Sequence, residues 1–129
     1  MKQITESDLK LLSHRQQVQF AVFCAKRVEF RWKNEPACVA AVAAAEAWLE
    51  GKATEEECEK AANAAAYAAN AAAYATYAAY NAAYAVAYAA NAAYAVVSAT
   101  EDADKENIIA EQWNYFYTLL GELGKILYF

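Results

Sequence analysis

The chain has 129 residues, enough for one compact domain, and 60% of them are hydrophobic. Three glycines and one proline leave few turn points, which excludes all-β and α/β architectures. The formal charge of -5 is unevenly spread, with seven basic and three acidic residues in 1–33 against four basic and thirteen acidic in 34–129. That balance favours basic protein partners and disfavours nucleic acid.

A first helix is predicted from about Ser7 to Arg31, capped by Thr5 or Ser7, with Leu9, Leu12, Phe20 and Phe23 on one side. It ends in the basic cluster Lys26, Arg27, Arg31 and Lys33. These cations suit the negative pole of a helix, and they also form the best charged patch for an acidic partner or a phosphate. Asn34 is a candidate cap for a second helix with Pro36 in its first turn, and Gly51 suits the left-handed residue after that helix.

Thr54 and Glu57 have the spacing of a capping box that opens a third helix. From Lys60 to Glu101 no charged residue intervenes. Asn63, Tyr67, Asn70, Tyr74, Tyr77, Asn81, Tyr84, Tyr88 and Asn91 follow at steps of four and three, set mostly in alanine. This period keeps one stripe on one face of a helix. The unbroken phase and the absence of turn residues favour one continuous helix over about 54–99 rather than a hairpin. Such a rod would be roughly 65 Å long, against a radius of gyration of about 14 Å for a compact domain of this size. A last helix carries Ile109, Trp113, Phe116 and Leu120 at core spacing and is expected to end near Gly121 and Gly124, with the apolar tail 126–129 docked. Thr100, Asp102 and Asp104 are its candidate caps. The expected fold is an all-α bundle, in a single domain of residues 1–129, built around the alanine-rich helix.

The stripe has two readings. Alanine allows close helix packing with tyrosines filling the gaps. Alternatively, tyrosine is a favoured contact residue, and Tyr67, Tyr74, Tyr77, Tyr80, Tyr84, Tyr88, Asn70 and Asn81 form a partner-binding face. The stripe is long enough to span a bilayer but carries asparagines and phenols throughout, so no membrane partner is expected.

Chemistry is sparse. Cys24, Cys38 and Cys58 have no paired spacing and read as reduced cytoplasmic thiols. His14 is the only histidine, so neither a metal site nor a catalytic constellation is expected, and no cofactor is implied. The chain reads as a non-enzyme.

Two segments resemble a known family. Cys24-Ala25-Lys26-Arg27-Val28-Glu29-Phe30 and Ala43-Ala44-Ala45-Glu46-Ala47-Trp48-Leu49-Glu50-Gly51-Lys52 are similar to segments of the immunity proteins that accompany bacterial polymorphic toxins and are also carried by phages. An alanine-rich run and a pair like Gln112-Trp113 follow there too, so the resemblance covers about residues 18–120. It departs here in the link between the first two helices, where only Glu35-Pro36 remains, and in using Tyr and Asn where relatives use Trp and Asp. The resemblance implies an all-helical inhibitor that occludes a toxin or effector protein by binding. The alternatives are a phage-encoded inhibitor of a host defence system such as CRISPR, and a self-assembling helical module in which the stripe is a homodimer seam.

Overall fold

The computed structural model describes residues 2–66, 69–81, 85–100 and 104–128, with side chains to Glu122. Among the described residues there are eight helices and no strand, so the protein is an all-α bundle. They are α1 (Glu6–Leu9), α2 (His14–Arg27), α3 (Glu29–Trp32), α4 (Pro36–Leu49), α5 (Glu55–Ala65), α6 (Asn70–Tyr80), α7 (Ala85–Ala99) and α8 (Lys105–Tyr128).

The expected first helix is three pieces. Thr5 caps α1, as anticipated, by accepting from the Asp8 amide. Ser13 then begins a new helix through a capping box with Gln16, which favours a fresh start over continuation. A further break at Val28 lets Trp32 turn inward, where its indole N–H donates to the Ala25 carbonyl at 2.8 Å.

Glu35, not Asn34, occupies the cap position of α4, and no side chain caps it; Pro36 takes the first turn as expected. At the other end Gly51 has φ +76°. The Lys52 amide donates to Ala47 at 2.8 Å and the Gly51 amide to Trp48 at 3.0 Å, the paired bonds of a Schellman turn. A Cβ on Gly51 would meet nothing within 4 Å, so a substitution there is opposed by backbone conformation alone. Gly51→Ala is expected to cost about 1–2 kcal/mol, read as a lowered denaturant midpoint with an unchanged slope. Loss of less than about 0.3 kcal/mol would contradict the conformational argument.

The Thr54–Glu57 capping box is present, with the Glu57 amide donating to Thr54 Oγ1 at 3.1 Å and the Thr54 amide to Glu57 Oε1 at 3.2 Å. The long rod is not. The alanine-rich stretch folds into α5, α6 and α7, with α6 packed against both of the others. A rod would leave its alanine faces in water; folded back, they are buried. Helix α6 touches α2, α4, α5 and α7. Ala71, Ala72, Ala73, Ala75, Ala78 and Ala79 are all buried, so methyl groups serve nearly the whole circumference. Only small side chains let neighbours approach from so many directions. The one polar group in this wall, Thr76, is fully buried, its hydroxyl 2.7 Å from the Ala41 carbonyl and 3.0 Å from its own Ala72 carbonyl.

The preserved heptad phase has a geometric explanation. Asn63 and Tyr77 lie equally far along the chain from Asn70, and Tyr74 and Tyr88 equally far from Asn81. Ala69 is extended (φ -154°, ψ 115°), as is Asn81 (φ -118°, ψ 93°). Breaks next to stripe positions make each hairpin fold its stripe onto itself.

Helix α8 passes Gly121 and Gly124 and continues to Tyr128, because neither glycine begins a turn. Thr100 donates its hydroxyl to the Val96 carbonyl at 2.8 Å, so it closes α7 rather than capping α8. The Asp102 candidate cap and the side chains of the tail lie outside the described residues. Phe23 and Tyr115 stack at 4.3 Å and hold α8 to α2, and Gln16 donates to the Leu119 carbonyl at 3.0 Å.

Candidate partner-binding surface

The fold brings the stripe tyrosines Tyr74, Tyr77 and Tyr88 together with Tyr80, which lies one residue off the stripe. Tyr74 and Tyr88 have ring centroids 6.5 Å apart, Tyr77 and Tyr88 5.3 Å, and Tyr77 and Tyr80 5.3 Å. These separations are typical of favourable aromatic pairs. All four rings are partly buried and pack on the core. Tyr77 donates its hydroxyl to Asn63 Oδ1 at 3.0 Å, tying α6 to α5. Burial, then Tyr88, Tyr77 and Glu59, push the Tyr80 phenol above its ordinary pKa, so it remains a neutral hydrogen-bonding group. The cluster is therefore the rim of the α5–α6–α7 packing. Asn70 is exposed at the start of α6, Asn81 is partly buried, and Tyr67 and Tyr84 lie outside the described residues.

The basic cluster divides. Arg27 forms a forked pair with Glu111, its Nη2 donating to Oε1 at 3.2 Å and its Nε to Oε2. Lys26 pairs with Glu46 at 3.0 Å. Both pairs are partly exposed, and each is worth about 0–1 kcal/mol. Arg31 and Lys33 are exposed and form no ion pair among the described residues.

Arg31 stands between two adjoining clefts. The first lies between α3, the first turn of α6 and α7, and has a volume of about 730 Å³. Its rim carries Arg31, Asn70, Asn91, Tyr94 and Ser98. The second, about 670 Å³, lies between α3 and α8 and is lined by Phe30, Arg31, Asn107 and Asn114, with the Arg27–Glu111 pair at its edge. Phe30 and Tyr94 are 65% and 63% exposed, which sets them apart from the packed tyrosines. Composition could not single these out. Tyr94 and Asn91 are part of the alanine-rich run, and only the fold places them in one cleft with Arg31.

The other candidate groups do not assemble into a reactive centre. Cys24, Cys38 and Cys58 are buried and unpaired. Burial raises all three thiols, Cys58 to about 11, which keeps them protonated and poorly nucleophilic at neutral pH. Among the described residues no group of three His, Cys, Asp or Glu side chains could hold a metal ion, and no helix is long and apolar enough to cross a membrane.

His14 begins α2 with its ring edge-on to Trp48, centroids 5.1 Å apart. Neither ring nitrogen has a hydrogen-bond partner among the described residues. Desolvation holds its pKa below the ordinary value, partly opposed by Glu55. The folded state therefore takes up a proton at lower pH than the unfolded chain. Stability conferred by the neutral ring is full above the unfolded pKa of about 6.5 and is lost as pH falls below it. Denaturant midpoints are expected to decline as pH falls below about 6.5, with His14→Phe flattening the profile. An unchanged profile in that variant would contradict the assignment.

The chain matches no family model, no curated protein and no solved structure.

Proposed function

We propose that this protein is a non-enzymatic binding inhibitor of the immunity-protein type, acting in the cytoplasm by occluding a toxin or effector protein. The observation that supports this reading is the surface around α3 and α7, where Phe30, Arg31 and Tyr94 stand out beside two clefts. Aromatic and arginine side chains carry a large share of binding energy at protein interfaces. The protonated thiols and the isolated His14 ring support binding rather than catalysis. The resemblance of residues 24–30 and 43–52 to immunity proteins supplies the target class. The packed tyrosine cluster contributes by holding α6 and α7 in place, while Tyr94 makes the contact.

The test is co-expression with the products of adjacent genes. Rescue from a toxic neighbour by the wild type, lost with Arg31→Glu plus Tyr94→Ala, supports immunity. Association with a defence effector, lost in the same variant, supports the phage-inhibitor alternative. Concentration-dependent mass by sedimentation equilibrium, abolished by Tyr94→Ala and without any heterologous complex, would replace both with a self-assembling module.

A further inference from the structure

We infer that the cleft between α3, α6 and α7 is a docking site for an acidic peptide segment of a protein partner, with Arg31 holding a carboxylate. This deepens the binding reading above and rests on it for the existence of a protein partner.

Charge is the first argument. The chain carries a formal -5, yet among the described residues Arg31 is the only charged side chain lining this cleft. The neighbouring cations Arg27 and Lys26 are engaged by Glu111 and Glu46, whereas Arg31 has no carboxylate of its own among the described residues. Its guanidinium presents a fork of donors matched to a carboxylate. Asn70, Asn91, Tyr94 and Ser98 on the same rim supply polar groups for a peptide backbone.

Size is the second argument. A volume of about 730 Å³ falls within the range of sites that hold sizeable ligands, and a lone inorganic anion would leave most of it unused. The exposed lining is mainly polar, and two buried apolar side chains close its base. Val28 and Trp32 are buried there, and Trp32 is fixed by its bond to Ala25. A peptide with an anionic side chain fits a mainly polar cleft with one cation at the rim. A nucleic acid needs many phosphate contacts, and one arginine on an acidic chain does not provide them.

The test is an NMR titration of the intact protein with three probes: a short acetylated peptide of alternating glutamate and alanine, its glutamine counterpart, and inorganic phosphate. The expected result is saturable shifts at the Arg31 side chain, Asn91 and Ser98 with the glutamate peptide. The glutamine peptide and the Arg31→Gln variant should each bind at least about tenfold more weakly, an effect of about 1.4 kcal/mol. Lys33→Gln, next to the cleft but outside its lining, should bind as the wild type does. Equal weakening by Lys33→Gln, shifts scattered over the surface, or undiminished binding to Arg31→Gln would overturn the site. Phosphate binding as tightly as the peptide would overturn the peptide assignment. Because the probe is synthetic, the titration can fail while a natural partner is still found, or succeed while none is, so the two readings fall separately.

Discussion

Phe20→Ala is expected to remove about 3–5 kcal/mol of stability. Phe20 is fully buried on α2 and faces Tyr115 of α8, ring centroids 6.5 Å apart. Few other large side chains are fully buried; most of the remaining interior is alanine, valine and cysteine. A core of small residues gains its stability from close backbone approach rather than from area per side chain, so each large ring carries a disproportionate share. An aromatic ring buries about 150–250 Å². At about 25 cal/mol per Å², that is roughly 4–6 kcal/mol before cavity terms. Domains have only about 5–15 kcal/mol in all, so the variant should be marginal. With a urea slope of about 2 kcal/mol/M, its midpoint should fall by about 2 M. Phe30→Ala, on the exposed face of α3, should stay within about 0.5 kcal/mol of the wild type. Similar losses in the two variants would show that burial does not separate them.

Local chemistry was legible in the sequence; the long-range geometry was not. Thr54 with Glu57, Pro36 and Gly51 each act within a few residues, and each does what its type and spacing imply. The helical period of the alanine-rich run was equally readable, and so was the all-α class. The breaks after Ala65 and at Asn81 were not, because alanine carries no turn signal and Asn81 leaves the helix through extended rather than left-handed backbone. What drives the chain to fold back is burial of methyl surface, and that depends on which neighbours arrive from elsewhere. The candidate site follows the same division. The cluster Lys26, Arg27, Arg31 and Lys33 reads as one patch along the chain, yet Glu46 and Glu111 neutralise two of its members from α4 and α8. Tyr74, Tyr77 and Tyr88 share a stripe with Asn91, but hairpin packing draws these tyrosines onto the core with Tyr80, and of them Tyr74 alone joins Asn91 in lining the first cleft.

Ala75→Leu tests this folded-back arrangement most directly. Ala75 is fully buried on α6, a helix in contact with α2, α4, α5 and α7. Leucine is nearly as good a helix former as alanine, so propensity alone predicts almost no change. The extra carbons, however, must enter a space where backbones approach closely and interiors are packed like organic crystals. Overpacking typically costs about 1–3 kcal/mol, and a helix enclosed by four others has little room to yield, so about 3 kcal/mol is expected. Ala64→Leu is the matched control: Ala64 is exposed on α5, in the same alanine-rich sequence context. Its effect should lie within about 0.5 kcal/mol. A single exposed rod would make the two substitutions nearly equivalent, since each would add an apolar side chain to an unenclosed helix surface. Thermal melts of the pair therefore separate the architectures. A large drop for Ala75→Leu alone means that α6 is the enclosed centre of the bundle, and equal small effects would mean that the alanine faces are not packed against one another.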